Sequence, residues 1–346
     1  MFKNVLPTGY LFVDSYEKGN LETLSIGDYG KDRNIKARFL GYYNDIKGVD
    51  NVPCKPLSEK WVITLSTQYG CTMSCNFCDV SKIKFKGNAS FEDLKQQLYN
   101  AIRLFPEVSY TDRLNIHFAR MGEPSYNKDV IMFTEWLYRN KLTLKNDLGL
   151  SIEVIHPVFT TCCPKKNNNL YTMLSNWSWI KNDLYNGQAG LQISINSTDD
   201  IQRAEMFNNK TLSIEEIANL CDSVLAPPVG RKYCLNFALA DDYIVDAEYL
   251  LSLFDPDYWM VKITPIHNNT ACNINGIKTT NGYNSFTPYK EIEQQLVNVG
   301  YDVIVFVPSL DEEDGLVTCG NLVLSGNSVK TRKLDKPIIK GFDYEN

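Results

Sequence analysis

No stretch of this chain approaches the roughly 20 consecutive apolar residues that a membrane-spanning helix needs. The opening Met1-Phe-Lys-Asn-Val-Leu-Pro-Thr-Gly9 carries no apolar core of the kind a secretory signal requires. Basic excess is missing too: 35 Lys and Arg stand against 41 Asp and Glu, for a net charge of −6 and a pI near 5.3. A protein built mainly to grip nucleic acid is usually basic, so only a local patch could serve RNA or DNA here. Internal repeats and low-complexity runs are absent apart from Asn167-Asn168-Asn169. Without a signal, the ten cysteines are expected as reduced thiols in a cytoplasmic setting, free to bind metal.

What is present is enough for a large core. The 346 residues are 44% hydrophobic and 22% charged, which suits one α/β barrel with additions and excludes wholesale disorder. Residues 1–60 hold short β-like pieces, Gly9–Val13 and Ile35–Leu40, between Gly, Asp and Asn turns. They are expected to form a small accessory element. From Trp61 onward, strand and helix patterns alternate. Strands are expected at Trp61–Thr67, Leu114–Ala119, Ile152–Thr160, Leu191–Ile195, Tyr233–Leu239, Trp259–Pro265 and Tyr301–Val307. Between them fall a helix opened by a Ser90/Asp93 capping box and helices at Asp129–Asn140, Leu170–Ile180, Ile214–Val224, Ala247–Phe254 and Tyr289–Val299. Six strand–helix units and one extra strand predict a partial (βα)6 barrel over residues 61–310. Residues 311–346 are expected to form a C-terminal segment.

Chemistry in such barrels sits at the C-terminal ends of the strands. There, just past the first barrel strand, stands Tyr69-Gly-Cys71-Thr-Met-Ser-Cys75-Asn-Phe-Cys78. This CxxxCxxC spacing lets three thiolates take three corners of one [4Fe–4S] cubane and leaves the fourth iron open. S-adenosylmethionine (SAM) can occupy the open position through its amino and carboxylate groups. Phe77 is placed to pack on the adenine or shield the cluster. Cys75-Asn-Phe-Cys78 is also half of a zinc ribbon, but no second CxxC completes one, since Cys162 and Cys163 are adjacent.

The other strand ends are polar. Arg120-Met121-Gly122-Glu123-Pro124 offers a glycine for close backbone approach and a carboxylate for the SAM ammonium. Thr160 and Ser194 carry hydroxyls suited to SAM, with bonding to their own backbone as the competing reading. His267 and Asn268 end the sixth strand. Cys319, in Val317-Thr-Cys-Gly-Asn-Leu322, reads on composition alone as a buried cysteine.

Taken together these segments resemble the RlmN/Cfr family of radical-SAM RNA methyltransferases, from about Val62 to Leu324. Ser66-Thr-Gln-Tyr-Gly-Cys71 is similar to the family's entry to the cluster, and Met121-Gly-Glu-Pro-Ser-Tyr-Asn127 to its MGEP motif. Ile193-Ser-Ile-Asn-Ser-Thr-Asp-Asp200, with Arg203 and Glu205, resembles its fourth-strand segment, and Cys319-Gly-Asn-Leu322 its C-terminal ACGQL. The resemblance implies that Cys319 is methylated by one SAM, and that a second SAM supplies a radical that abstracts hydrogen from that methyl. The resulting carbon radical adds to an sp2 carbon of adenine. It further implies Cys319 and Met121 as catalytic residues, Phe77, Gly122, Glu123, Thr160, Ser194, His267 and Asn268 around SAM, and Cys71, Cys75 and Cys78 on the cluster. A reductase such as flavodoxin or ferredoxin, and an RNA or nucleotide substrate, complete the implied partners.

Two departures stand out. The family has a second cysteine, which breaks the enzyme–RNA crosslink, where this chain has Thr64. A threonine cannot form that disulfide, which leaves Cys54, Cys162 and Cys163 as candidate thiols. The basic helical N-terminal domain is also replaced by the shorter, β-like residues 1–60. Basic residues do occur near the expected mouth (Lys82, Lys84, Lys86, Lys165, Lys166) and in the tail (Lys330, Arg332, Lys333, Lys336). The competing functions are radical chemistry on a small molecule without methyl transfer, and a non-catalytic iron–sulfur or zinc protein.

Overall fold

The structure, a computed structural model, describes residues 1–6, 9–27, 56–266, 269–278, 287–306, 316 and 319–326. Strands β1 (Phe2–Leu6), β2 (Gly9–Tyr16) and β3 (Gly19–Gly27) form an antiparallel meander. β3 also pairs antiparallel with β4 (Trp61–Thr64), in a register that sets Leu24 opposite Thr64 and Gly27 opposite Trp61. Two short strands, β5 (Gln68–Tyr69) and β6 (Gly87–Asn88), make a separate ribbon in the loop after β4. Parallel pairing then runs from β4 through β7 (Tyr110–Phe118), β8 (Ser151–Thr161), β9 (Gly190–Ser194), β10 (Tyr233–Leu239), β11 (Trp259–Pro265) and β12 (Val303–Val305). All but the β5–β6 ribbon belong to one open 10-stranded sheet.

Helices fill the crossovers. They are α1 (Phe91–Arg103) before β7, α2 (Asp129–Arg139) and α3 (Lys141–Leu148) before β8, and α4 (Leu170–Trp179) before β9. Next come α5 (Asp200–Met206) and α6 (Ile214–Val224) before β10, α7 (Ala247–Leu253) before β11, α8 (Thr270–Asn275) and α9 (Thr287–Asn298) before β12, and α10 (Asn321–Ser325). The capping box read from sequence is formed: Ser90 Oγ accepts from Asp93 N at 3.2 Å, and Asp93 Oδ2 accepts from Ser90 N at 2.8 Å. α1 then buries Leu94, Leu98, Ala101 and Ile102 along one face, the spacing of an amphipathic helix on a sheet.

Period-two alternation decides what faces what. On β7, Leu114, Ile116 and Phe118 turn to the helices, where the Phe118 ring meets Phe133 at 6.2 Å and Trp177 at 6.1 Å. Arg113, Asn115 and His117 take the opposite face of the strand. A second, smaller core joins the two ends of the chain, for Leu322 of α10 packs among Leu6, Leu11, Val13, Leu24 and Ile26.

The six expected strand–helix units and the extra strand are all present. Not expected from the sequence were β1, β3, β5, β6, α3, α5, α8 and α10. β3 is the instructive case: seven of its nine residues are buried, because α1 covers one face, where Thr23 and Ser25 bond Gln97 and Ala101, and α10 covers the other, where Leu24 and Ile26 pack with Leu322. A polar strand buried on both faces has no alternating pattern to read. The β-like Ile35–Leu40 lies outside the described residues.

Candidate functional site

The cysteine loop leaves the C-terminal end of β4 and is stitched to the end of β7. Thr67 N and Gln68 N both donate to Met121 O, at 2.7 and 3.1 Å, and Lys86 N donates to Tyr69 O at 2.9 Å. Gly70 turns the chain toward the cysteines at φ +80°, where an added Cβ would lie 2.8 Å from Ile83 O. Ser74 takes φ +56°, and Lys210 Nζ holds this bend by donating to Thr72 O at 2.7 Å and Ser74 Oγ at 3.2 Å. Cys78 N donates to Cys75 O at 3.1 Å.

The three thiols sense one another. Burial pushes Cys71 up to about 11. Burial and then the Cys71 sulfur raise Cys75, and burial followed by Cys75, Cys319 and Cys71 raises Cys78 well above the ordinary thiol range. Several would-be anions converge in a desolvated loop, an arrangement that a cationic cluster would relieve. Among the described residues no group of His, Cys, Asp or Glu is arranged to hold a single metal ion. A cubane asks for something different, one iron to each thiolate. The donor set therefore fits an iron–sulfur cluster better than a zinc ion.

The Met121-Gly122-Glu123 turn lies against this loop. Gly122 has φ +104°, and an added Cβ would strike Gln68 Cβ at 2.6 Å, so only glycine lets the two segments touch. Glu123 is buried; its carboxylate accepts from Ser125 N, Cys162 N and Cys162 Sγ, each at 3.1 Å, while its own amide donates to Gln68 Oε1 at 3.0 Å. Glu123 thus caps the turn after β7 and ties Cys162 to it, and its charge also reaches Cys71 and Cys75. Met121 is fully buried. Thr160 Oγ1, at the end of β8, is buried without a partner. Ser194, half-buried at the end of β9, gives its carbonyl to Arg203 at 2.7 Å. The half-buried Phe77 ring packs edge-on against Phe207, with centroids 5.5 Å apart. His267, Asn268, Cys54 and the basic tail lie outside the described residues.

Cys319 arrives at the same place from the far end of the chain. Its half-buried thiol donates to Ala119 O at 3.5 Å, just past β7, and hydrogen-bonds Arg120. Burial raises this thiol, and the Arg120 guanidinium partly offsets the rise. Gly320 follows at φ +84°, packed so closely on Val80 of the cysteine loop that an added Cβ would lie 2.9 Å from Val80 Cγ2.

The anchor of this turn is a residue the sequence reading passed over. Glu22 on β3 is fully buried and accepts from Gly320 N and Leu322 N at 2.9 Å and from Val323 N at 3.2 Å. It also forms an ion pair with Arg120. One carboxylate therefore satisfies the free amides at the start of α10 and neutralises the guanidinium beside Cys319. Arg203, noted in the sequence only as part of the fourth-strand resemblance, is a second support: fully buried, it donates to the carbonyls of Ser194, Ile195 and Cys162. A single charged residue in a buried position leaves no periodic trace in a sequence, so only a resemblance could have flagged either one.

Of the candidates for the missing second thiol, Cys162 and Cys163 are both buried. Cys162 is the one at the site, through Glu123 and through its proximity to Cys75. Thr64 Oγ1 is buried and unpartnered. Lys82 is committed to Asp79 at 2.8 Å, whereas Lys84, Lys86, Lys165 and Lys166 are exposed.

No family model matches the chain. The dual-specificity RNA methyltransferase RlmN of Pseudomonas fluorescens (strain SBW25) is 24% identical over 278 residues, covering 78% of this chain and 65% of that protein. The RlmN of Francisella tularensis subsp. novicida is 24% identical over 270 residues, with 69% and 67% covered. That of Oleidesulfovibrio alaskensis is 33% identical over 99 residues, 28% of this chain and 26% of that one. Among solved structures, a radical SAM methyltransferase from Sphaerobacter thermophilus superposes with a TM-score of 0.59 at 18% identity, covering 91% of this chain and 77% of that one. The chain thus shares the fold of a radical SAM methyltransferase and is similar in sequence to the RlmN methyltransferases.

Proposed function

We propose that this protein is a radical-SAM methyltransferase that methylates an sp2 carbon of an adenine-type base, in RNA or a nucleotide, through a methyl group carried on Cys319. The observation that carries the reading is the convergence of Cys319 on the cysteine loop: its sulfur lies near enough to raise the Cys78 thiol and sits beside Ala119 and Arg120 at the end of β7. A cysteine delivered there by a turn from the other end of the chain suits a group carrier better than a packing residue.

In this reading Cys71, Cys75 and Cys78 hold the [4Fe–4S] cluster, which with bound SAM supplies the electron and the deoxyadenosyl radical. Gly122 and Glu123 border the SAM site, Thr160 and Ser194 offer hydroxyls to it, and Phe77 screens it. Met121 flanks Cys319. Arg120 and Glu22 hold the carrier thiol in place, and the buried walls keep water from the radical. Cys162 is the thiol best placed to resolve a crosslink in a chain with Thr64. A one-electron reductase such as a flavodoxin or ferredoxin completes the partners. The described cysteines are all free thiols, which accords with a reducing cytoplasm, and no described helix is long and apolar enough to cross a membrane.

Peptide mass spectrometry of anaerobically purified protein, supplied with SAM, tests the proposal. A methyl group on Cys319 and formation of both S-adenosylhomocysteine and 5′-deoxyadenosine are expected. Formation of 5′-deoxyadenosine without S-adenosylhomocysteine, with Cys319 unmodified, overturns methyl transfer.

A further inference from the structure

A cavity of about 570 Å³ opens at the starts of the parallel strands, the end opposite the cysteines, and Lys60, Arg113, His156, Gln192, Arg231 and Lys232 are on its wall. Lys60 stands just before β4, Arg113 early on β7, and Arg231 and Lys232 just before β10. Alternation on β7 turns Arg113, Asn115 and His117 into this space, away from the helices. None of the cysteines or SAM-site candidates borders it, so it is separate from the proposed reaction centre.

Its chemistry is one-sided. Four of the side chains named are cations, and Asp302, the carboxylate among the described lining residues, is already paired with Lys232 at 2.7 Å. The cations press on one another: burial and then Arg113 lower Arg231 to about 10. Burial, then Arg231, Arg113 and His117, hold the His156 ring neutral. His156 Nε2 lies 2.8 Å from Arg231 Nη1 and must accept from it, so the ring proton sits on Nδ1. That Nδ1 is buried and has no partner. The wall thus carries guanidinium and ammonium groups and the side-chain amides of Gln188 and Gln192.

We propose that this cavity binds a small molecule bearing a di- or triphosphate. Phosphate oxygens can accept from several cationic donors at once, and guanidinium and ammonium groups are the side chains that recognise them. The volume falls in the range of small-molecule sites. The charge is concentrated in a concavity while the chain as a whole carries −6, a distribution that draws in a compact anion and repels a long one.

Isothermal titration of the full-length, cluster-loaded protein with inorganic tripolyphosphate tests the site without reference to methyl transfer. Saturable binding at one site is expected, weakening as ionic strength rises. Arg231→Gln and Arg113→Gln should each weaken it about tenfold or more, as loss of a charge-assisted hydrogen bond predicts, while Lys165→Ala leaves it unchanged. If Arg231→Gln does not fold, Arg231→Lys keeps the charge, removes the fork, and should also weaken binding. An absence of saturable binding, or equal affinity in wild type and the arginine variants, overturns the proposal. Binding of a single-stranded oligonucleotide with none of tripolyphosphate also overturns it, in favour of a nucleic-acid surface.

Discussion

The cysteine loop and the Cys319 turn bring sulfur to the same strand end by opposite means. The loop gathers its thiols locally: the three are close in sequence, and Cys78 N donates to Cys75 O, while Met121 and Lys210 brace the loop from other elements. The Cys319 turn is non-local throughout. It is held by Glu22, nearly three hundred positions earlier, by Arg120, and by contact of Gly320 with Val80. Thiols close in sequence can be gathered by one loop. A thiol from a distant segment can be set beside them only by elements that tertiary folding has already assembled.

The largest expected effects separate the two halves. Cys75→Ser should lose bound iron and all SAM cleavage, whereas Cys319→Ala should keep the iron–sulfur absorbance and lose only the methylated product. Iron analysis beside product assay reads both, and loss of iron from Cys319→Ala would make the two regions one structural unit. Next comes the anchor. Glu22→Ala strands a buried guanidinium and three backbone amides, and should cost on the order of 3–5 kcal/mol in denaturant unfolding. A Glu22→Ala protein of wild-type stability and methylation would show that the turn is held by its apolar contacts alone. The smallest effect is expected at the turn after β7, on which the cysteine loop packs. Gly122→Ala forces a Cβ against Gln68 at a left-handed φ, for a loss of about 1–3 kcal/mol with reduced SAM binding in equilibrium dialysis.

Some of this was legible in the residues. The strand–helix alternation from Trp61 to Val305 could be read because apolar strands and amphipathic helices carry their period in the chain, as α1 shows with its Ser90/Asp93 box and its buried Leu94, Leu98 and Ile102. That the three cysteines share one loop was legible because they are close in sequence. β3 was not, because burial under α1 on one face and α10 on the other removed its alternation, and α10 was too short to leave a pattern. The expected role of Glu123 was read from its motif, but its use as a cap for Ser125 and a partner for Cys162 depends on where β8 ends.

Sequence alone determined the parallel barrel, the cysteine loop and the glycine-bearing turn beside it, since each depends on residue type and short-range spacing. Tertiary structure alone decided that Glu22 and Arg120 would meet Cys319, and that cations from β4, β7 and β10 would face one cavity. Those relations join residues from distant parts of the chain through burial and charge, quantities that exist only after the strands have been laid side by side.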